Sequence, residues 1–379
     1  MKKVSFAEFG GPEVLRLVEA EEPHAGPGRI RVAVRAAGVN PVDWRIREGQ
    51  ILKAHPLELP SGVGLDAAGV VDEVGEGVTG VEVGDHVFGE GSSTYAEFAV
   101  LSAWARMPEG LTFAEAAGYP SVVETALRLL GEVGVRPGGT LLVSGASGGV
   151  GSAVLQIARH RGIAVIGTAG AANQDYLRGL GALATTYDAG WVERVRRLGP
   201  VDAALDLAGA GVISELVELT GDPRKVISIA DLDAPALGVR FSGTAGSVPD
   251  ALAEAADLIA RGKLHIPVEK SYTLAEAAAA HADSRAGHTR GRRVVLVGAG
   301  ASDPVGHDHQ VLEAAVAVGV EERVLDARDQ VLGLSAQLPV GDRGRGEVLD
   351  VDGNEPVAGH RPEVRGAGVD VADVVGVDE

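Results

Sequence analysis

The run Ser144-Gly-Ala-Ser-Gly-Gly-Val-Gly151 constrains this chain more than any other segment, because it stands between a strand signal and a helix signal. Thr140-Leu-Leu-Val143 reads as a strand, Gly149 to Arg161 as a helix, and Ile163-Ala-Val-Ile166 as a second strand. Gly145, Gly148 and Gly151 each have a physical use at such a junction. The first turns the chain sharply off the strand, the second lets the backbone approach a pyrophosphate, and the third lets helix and sheet pack closely. Free amides and the dipole of the first helical turn then face the phosphates. The frame predicts dinucleotide binding. The stretch Pro137 to Ala158 is uncharged and long enough to span a bilayer, but its six glycines and three serines make it strand, turn and helix instead.

Downstream the alternation continues. Leu177 to Leu180 closes a helix, Val201 to Asp206 is a strand, Val212 to Leu219 a helix, and Lys225 to Ile229 a strand. A helix from Asp250 to Arg261 follows, with Gly262 at its C-terminal cap. Such alternation builds a parallel sheet covered on both faces. Upstream the period is two: Arg29-Ile-Arg-Val-Ala-Val-Arg35 alternates charged and apolar residues, and Ala67 to Val74, Val81 and Gly84 to Phe88 follow among glycines. Short strands so closely spaced imply a small barrel-like β domain. Thr112 with Glu115, Ser121 with Glu124, and Thr273 with Glu276 have capping-box spacing. After Lys263 the chain returns to the first domain through an Ala-rich helix, Thr273 to Ala286, and a strand, Arg292 to Val297. The expected division is residues 1–120 completed by 264–298, a dinucleotide-binding domain over 121–263, and a separate tail, 299–379.

Composition narrows the functions. The net charge of −19, from 53 acids against 34 bases, excludes general binding to nucleic acid or to an anionic membrane. With no cysteine among 379 residues there is no disulfide framework, no thiolate nucleophile and no cysteine-ligated zinc. Glu8 interrupts the only candidate for a leader sequence, so a cytoplasmic protein is expected. In NAD sites an acid at the end of the second strand accepts the ribose 2′-hydroxyl. Gly167-Thr-Ala-Gly-Ala-Ala-Asn-Gln174 offers none before Asp175, and no Lys or Arg either; the missing acid favours NADP.

Several segments taken in order resemble the medium-chain dehydrogenase/reductase superfamily, within it the zinc-independent quinone oxidoreductase-like branch. They are Ala37-Gly-Val-Asn-Pro-Val-Asp-Trp44 with Arg45 to Gly49, Gly64 to Val71, Gly84 to Gly89, Tyr95-Ala-Glu-Phe98, the glycine turn, and Gly287-His-Thr-Arg-Gly-Arg292. The resemblance implies an α/β fold with a GroES-like catalytic domain, a Rossmann doubly wound parallel sheet, and an active site in the cleft between them. It places Asn40 beside the nicotinamide, Thr125 on the cofactor, and Ser147, Gly148, Gly149 and Val150 with Gly145 around the pyrophosphate. Thr168 falls at the ribose end, Tyr187 near the 2′-phosphate, and Ile229 and Ala230 against the carboxamide. Zinc-dependent relatives hold the metal with a Cys and a Gly-His-Glu. Here these positions read Gly38-Val-Asn40 and Gly64-Leu-Asp66, so no metal site is expected. Many relatives have a tyrosine where this chain has Arg45, and some have a serine or lysine in the 2′-phosphate loop, where this chain has Gly170 and Gln174.

The implied activity is NADPH-dependent hydride transfer to a quinone or another activated enone, with Asn40, Arg45 and Tyr95 as catalytic candidates. Two alternatives stand: an enoyl-thioester reductase, and a non-catalytic protein that binds the cofactor as a ligand or sensor. Arg45 reads either as a substrate contact or as a solvated loop residue, and Asp66 either as orienting substrate or as capping its own turn. Tyr95 reads either as a proton donor or as core packing. Asp43 suits backbone capping, and His86 and His281 suit structural or solvent-facing roles. A homodimer through an edge near Leu232 to Ser242 is expected. The tail lacks Lys, Ile, Met, Phe, Tyr, Trp and Thr and carries 17 acids against 6 arginines. It reads as a disordered acidic extension, as a small module with a helix over Val311 to Val324, or, preferred, as GC-rich coding sequence read past a shifted frame.

Overall fold

A computed structural model describes residues 1–51, 57–243, 248 and 250–298, and the expectations placed on the tail lie outside these residues. The N-terminal part holds β1 (Lys2–Phe6), β2 (Arg16–Glu19), β3 (Ile30–Gly38), α1 (Pro41–Arg47), β4 (Ser61–Gly62), β5 (Asp66–Val74), β6 (His86–Ser92) and β7 (Phe98–Arg106). β3 pairs with β5, β5 with β6 and β6 with β7, all antiparallel, and β7 returns to β3 through Ile30 opposite Leu101. The four strands thus close on themselves, leaving the Ala36–Gly38 end of β3 to be paired by a later strand. Alternation in β3 drives this: Ile30, Val32 and Val34 point inward with Val71, Val87 and Leu101, each contributing about 1.5–3 kcal/mol by burial.

Two helices, α2 (Phe113–Ala116) and α3 (Pro120–Val133), lead into the second half. There β8 (Thr140–Ser144), α4 (Gly149–His160), β9 (Ala164–Thr168), α5 (Gln174–Gly179), β10 (Leu183–Thr185), α6 (Trp191–Leu198), β11 (Ala203–Asp206), α7 (Ile213–Thr220), β12 (Val226–Ser228), β13 (Arg240–Phe241) and α8 (Ala251–Ala260) alternate. All pairings are parallel and the order is β10-β9-β8-β11-β12-β13. Counted from β8 this is 3-2-1-4-5-6, the dinucleotide-binding order, whose crevice lies at the carboxyl ends where the order reverses. Leu141, Leu142 and Val143 are all fully buried, as strands covered on both faces must be. The chain then returns through β14 (Val268–Thr273), α9 (Ala277–Ala286) and β15 (Arg292–Leu296). β15 pairs antiparallel with β3, Val294 opposite Gly38.

Three expectations need correction or refinement. The capping boxes of Thr112 with Glu115 and Thr273 with Glu276 form, but Ser121 with Glu124 does not: α3 already begins at Pro120, so Ser121 lies inside it and bonds Asp66 instead. Arg45 stands on α1 rather than in a loop, since Asn40 caps that helix, Pro41 opens it and Asp43 returns a carboxylate to the Asn40 amide at 2.8 Å. His281 is wholly buried on α9 with both ring nitrogens unpartnered among the described residues, its ring edge-on to Tyr95 at 5.7 Å.

Burial pushes the His281 pKa down to about 3. The folded state therefore binds no proton here at pH values where the unfolded chain, near 6.5, does. The neutral ring's contribution is whole above pH 6.5 and is lost as pH falls toward 3, at about 1.4 kcal/mol per pH unit. Replacing His281 by phenylalanine is expected to flatten this slope in denaturant melts between pH 6.5 and 4.5. An unchanged slope rules out the buried neutral imidazole. Among the described residues, no helix is long and apolar enough to cross a membrane.

Candidate active site

The glycine turn leaves β8 at Ser144, and Gly145 has φ +79°, a left-handed conformation that glycine adopts without cost. A side chain at Gly151 would meet the Ala146 carbonyl oxygen at 2.5 Å, so α4 lies against the turn only because this residue has none. Gly148 caps α4 without a side-chain bond, leaving the first-turn amides open to an anion. Val150 and Gly149 are half-buried in that turn. Ser147 accepts the Gly291 amide at 2.9 Å through its carbonyl, and its hydroxyl receives Asn173 Nδ2 at 3.3 Å.

At the end of β9, Thr168 is buried between Ser144 and Thr185 in register. Gly170 follows, with the exposed Tyr187 hydroxyl 3.6 Å from where a β-carbon would be. Arg290 arrives from the returning segment: its Nε donates to Asn173 Oδ1 at 3.1 Å and its guanidinium stands over Tyr176 at 5.7 Å. Sequence reading found no cation in the Gly167–Gln174 loop and missed this one, which comes from more than a hundred residues away. Its only signal was the basic His-Thr-Arg-Gly-Arg run.

Across the crevice, Asn40 is held from both ends: its Nδ2 donates to Asp66 Oδ2 at 2.9 Å and its Oδ1 accepts Arg292 Nη2 at 2.9 Å. Arg292 also pairs with Asp66 at 3.3 Å, and Asp66 Oδ1 accepts the Ser121 amide at 3.1 Å and the Ser121 hydroxyl. Asp66 thus joins β5, α1, α3 and β15 rather than capping its own turn. Burial pushes its carboxyl up and the Arg292 guanidinium down, while their mutual attraction opposes both. Behind Asn40, Tyr95 is fully buried and its hydroxyl faces Asp43 Oδ2 at 3.4 Å. Burial raises the Asp43 carboxyl to about 7 and the Tyr95 phenol well above its ordinary value. The structure does not bring Tyr95 into the crevice with Asn40; its placement is that of a core residue.

Arg45 does reach across. Its Nη2 donates to the Ala230 carbonyl at 3.0 Å, just beyond β12, while Trp44 lies under its guanidinium at 5.4 Å. Ile229 and Ala230 are half-buried there, and Ala230 is fixed by its amide on Ser228 Oγ at 3.1 Å. Thr125 is half-buried on α3. Among the described residues, no group of three or more His, Asp or Glu side chains is placed to hold a metal ion.

A glycine-turn parallel sheet in the dinucleotide-binding order, faced by polar side chains from a small closed β sheet, defines a mixed α/β fold of the nucleotide-dependent oxidoreductase kind. Residues 26–121 match the Alcohol dehydrogenase GroES-like domain, and residues 179–295 the Zinc-binding dehydrogenase family. The chain is 30% identical to a quinone oxidoreductase of Pseudomonas aeruginosa over 78% of its own length and 99% of that protein's. It is 39% identical, over 66% of its length, to the pikromycin polyketide synthase component PikAII of Streptomyces venezuelae, of which it spans only 7%. A crystal structure of Escherichia coli quinone oxidoreductase complexed with NADPH superposes with TM-score 0.70 at 26% identity, covering 78% of this chain and all of that one. The chain belongs to the quinone oxidoreductase family of the medium-chain dehydrogenase/reductase superfamily, with its GroES-like and Rossmann-like parts.

Proposed function

We propose that the chain is an NADPH-dependent oxidoreductase that reduces quinones or other activated enones without a metal ion. The observation that carries this is the bond from Arg45 to Ala230, which sets a guanidinium from the β domain over the carboxyl edge of the parallel sheet. NADPH, when bound, supplies the hydride. Gly145, Ser147, Gly148, Gly149 and Val150 would hold its pyrophosphate, Thr168 and Tyr187 its adenosine ribose end, and Thr125, Ile229 and Ala230 its nicotinamide end. The open first turn of α4 fits the pyrophosphate. The missing acid and the Arg290 guanidinium near Tyr176 fit a 2′-phosphate. NADPH in the Escherichia coli relative agrees.

The Asp66–Arg292 pair fixes the Asn40 amide, which in this reading would stand beside the reacting ring, and Arg45 would donate to the substrate oxygen that gains charge. The Gly38-Val-Asn40 and Gly64-Leu-Asp66 stretches carry no zinc-ligating Cys or His, which supports metal-free chemistry. The catalytic domain of this reading is 1–120 with 264–298, and the cofactor domain 121–263. A cytoplasmic homodimer, joined along the β13 edge, is part of the same reading.

NADPH oxidation with a panel of quinones, enones and enoyl-CoAs tests it. Consumption with quinones or small enones is expected; tight NADPH binding with no turnover on any acceptor overturns the enzyme reading. In the same assay Arg290→Ala is expected to raise the KM for NADPH about tenfold, roughly 1.4 kcal/mol, and to leave that for NADH unchanged. An equal effect on both cofactors removes Arg290 from 2′-phosphate recognition. The likeness to a polyketide synthase component favours a second reading, an enoyl-thioester reductase, which preferential turnover of enoyl-CoA would establish.

A further inference from the structure

Hydride addition to an enone needs a proton as well, and the residues so far described do not offer one. Tyr95 is sealed in the core, Arg292 is committed to Asp66 and Asn40, and Asp43 lies behind Asn40 on the backbone side. A further carboxyl, Glu90, lies on the same face of the β sheet as Asp66. Glu90 lies on β6 directly opposite Asp66 on β5, so the two side chains share a face about 5 Å apart. Phe88, two residues earlier on that face, is buried edge-on against Tyr119, which shows that the face looks toward α3. The register slips between Glu90 and Gly91, and such an irregularity re-aims the neighbouring side chain.

The described surroundings of Glu90 are charged, mostly acidic. Asp66 faces it from β5 and Glu124 from α3, both acidic; Arg128, also on α3, is taken by Glu124 at 3.1 Å and by the Ser242 carbonyl at 2.8 Å. Among the described residues, the Glu90 carboxyl receives no hydrogen bond and forms no ion pair. It is half-buried rather than sealed, one strand away from the side chain that holds Asn40.

We propose that Glu90 is the general acid of the reduction, protonating the substrate after hydride transfer. The inference rests on the reductase reading above. Bound NADPH would supply the hydride, its dihydronicotinamide C4–H bond breaking to leave NADP⁺ as a C–H bond forms at the β-carbon of the enone, with the alkene electron pair moving through the α-carbon to the oxygen to give an enolate. The Glu90 O–H bond then breaks, its proton goes to the enolate, and water returns a proton to the carboxylate. Burial and the two neighbouring carboxylates raise the Glu90 pKa to about 7, with Arg128 opposing, so the acid form is populated near neutrality.

The first test needs no cofactor. Carboxyl-labelled glutamate NMR of the free protein is expected to show one resonance titrating near pH 7 that disappears in Glu90→Gln. In turnover, Glu90→Gln is expected to slow enone reduction about 100-fold, within the usual reach of a general acid. It should also abolish the fall of kcat/KM above pH 7, with NADPH affinity unchanged. Reduction of a p-quinone should fall less than tenfold, because a hydroquinone anion is stable enough to take its proton from water. Glu90→Asp should restore part of the enone rate. Equal losses on quinone and enone, or an unchanged pH profile, overturn the role. A wild-type protein inactive on every acceptor instead overturns the reductase reading, while the NMR titration still reports on Glu90.

Discussion

Replacing Asp66 by alanine is expected to remove about 3–5 kcal/mol of stability, a large part of the total that holds any domain folded. The substitution leaves the buried Arg292 guanidinium without its anion and deprives Asn40 and Ser121 of their acceptor in one step. For a chain of this size such a loss lowers Tm by about 10 °C. The pair Asp66→Leu with Arg292→Met separates charge from packing. Removing both charges is expected to recover most of the stability, because the desolvation of two ions disappears together. Activity should not return, since Asn40 loses both of its holders. A single Asp66→Ala protein that melts like the parent shows that the pair is not buried as described.

Gly151→Val is expected to weaken NADPH binding about 100-fold, near 2.7 kcal/mol. A β-carbon there meets the Ala146 oxygen at 2.5 Å and the Gly145 oxygen at 2.6 Å, both backbone atoms that cannot swing aside. α4 must therefore retreat from β8, and its first-turn amides move away from the proposed pyrophosphate site. Overpacking should also cost about 1–3 kcal/mol of stability. Gly131→Ala is the control: it lies exposed on α3 with nothing within 4 Å of the added carbon. Fluorescence titration of both proteins decides the matter, and an unchanged affinity for Gly151→Val refutes the close-packing account.

In the Rossmann-like half β8, β9, β11 and β12 were legible because each carries its own apolar run beside a helix signal, whereas the short β10 and β13 and the charged helix α6 were not read, having too few apolar residues to show a period. Asp206 ends its strand and Gly262 follows α8 as expected. The β half was legible only as a kind. Its closure depends on Ile30 meeting Leu101, and no local pattern announces a pairing across seventy residues. The helix α1 could have been read, since Asn-Pro-x-Asp is a cap, a helix opener and a returning carboxylate. Ser121 misled for the opposite reason: the right spacing sat one position inside a helix already begun by Pro120. In the site, Gly145 and Gly151 were visible because a left-handed φ and a close backbone contact demand glycine there, and Gly148 through the spacing of the three. Asp66 with Arg292, Arg290 with Asn173, and Glu90 were not, because each owes its setting to residues far away in the chain.

The pairing of β15 with β3 also bears on how the protein is made. Val294 meets Gly38 across 256 residues, so a ribosome adding roughly 5–20 residues per second needs tens of seconds between exposing one strand and releasing its partner. Throughout that interval the Ala36–Gly38 end of β3 has unpaired backbone groups, an edge that another chain can join. The same late segment delivers Arg290, Arg292 and the Gly291 amide that holds Ser147. The last strand of the β half and these three contacts therefore arrive together once residues 290–296 have been made, and a nascent chain stalled before residue 290 has neither.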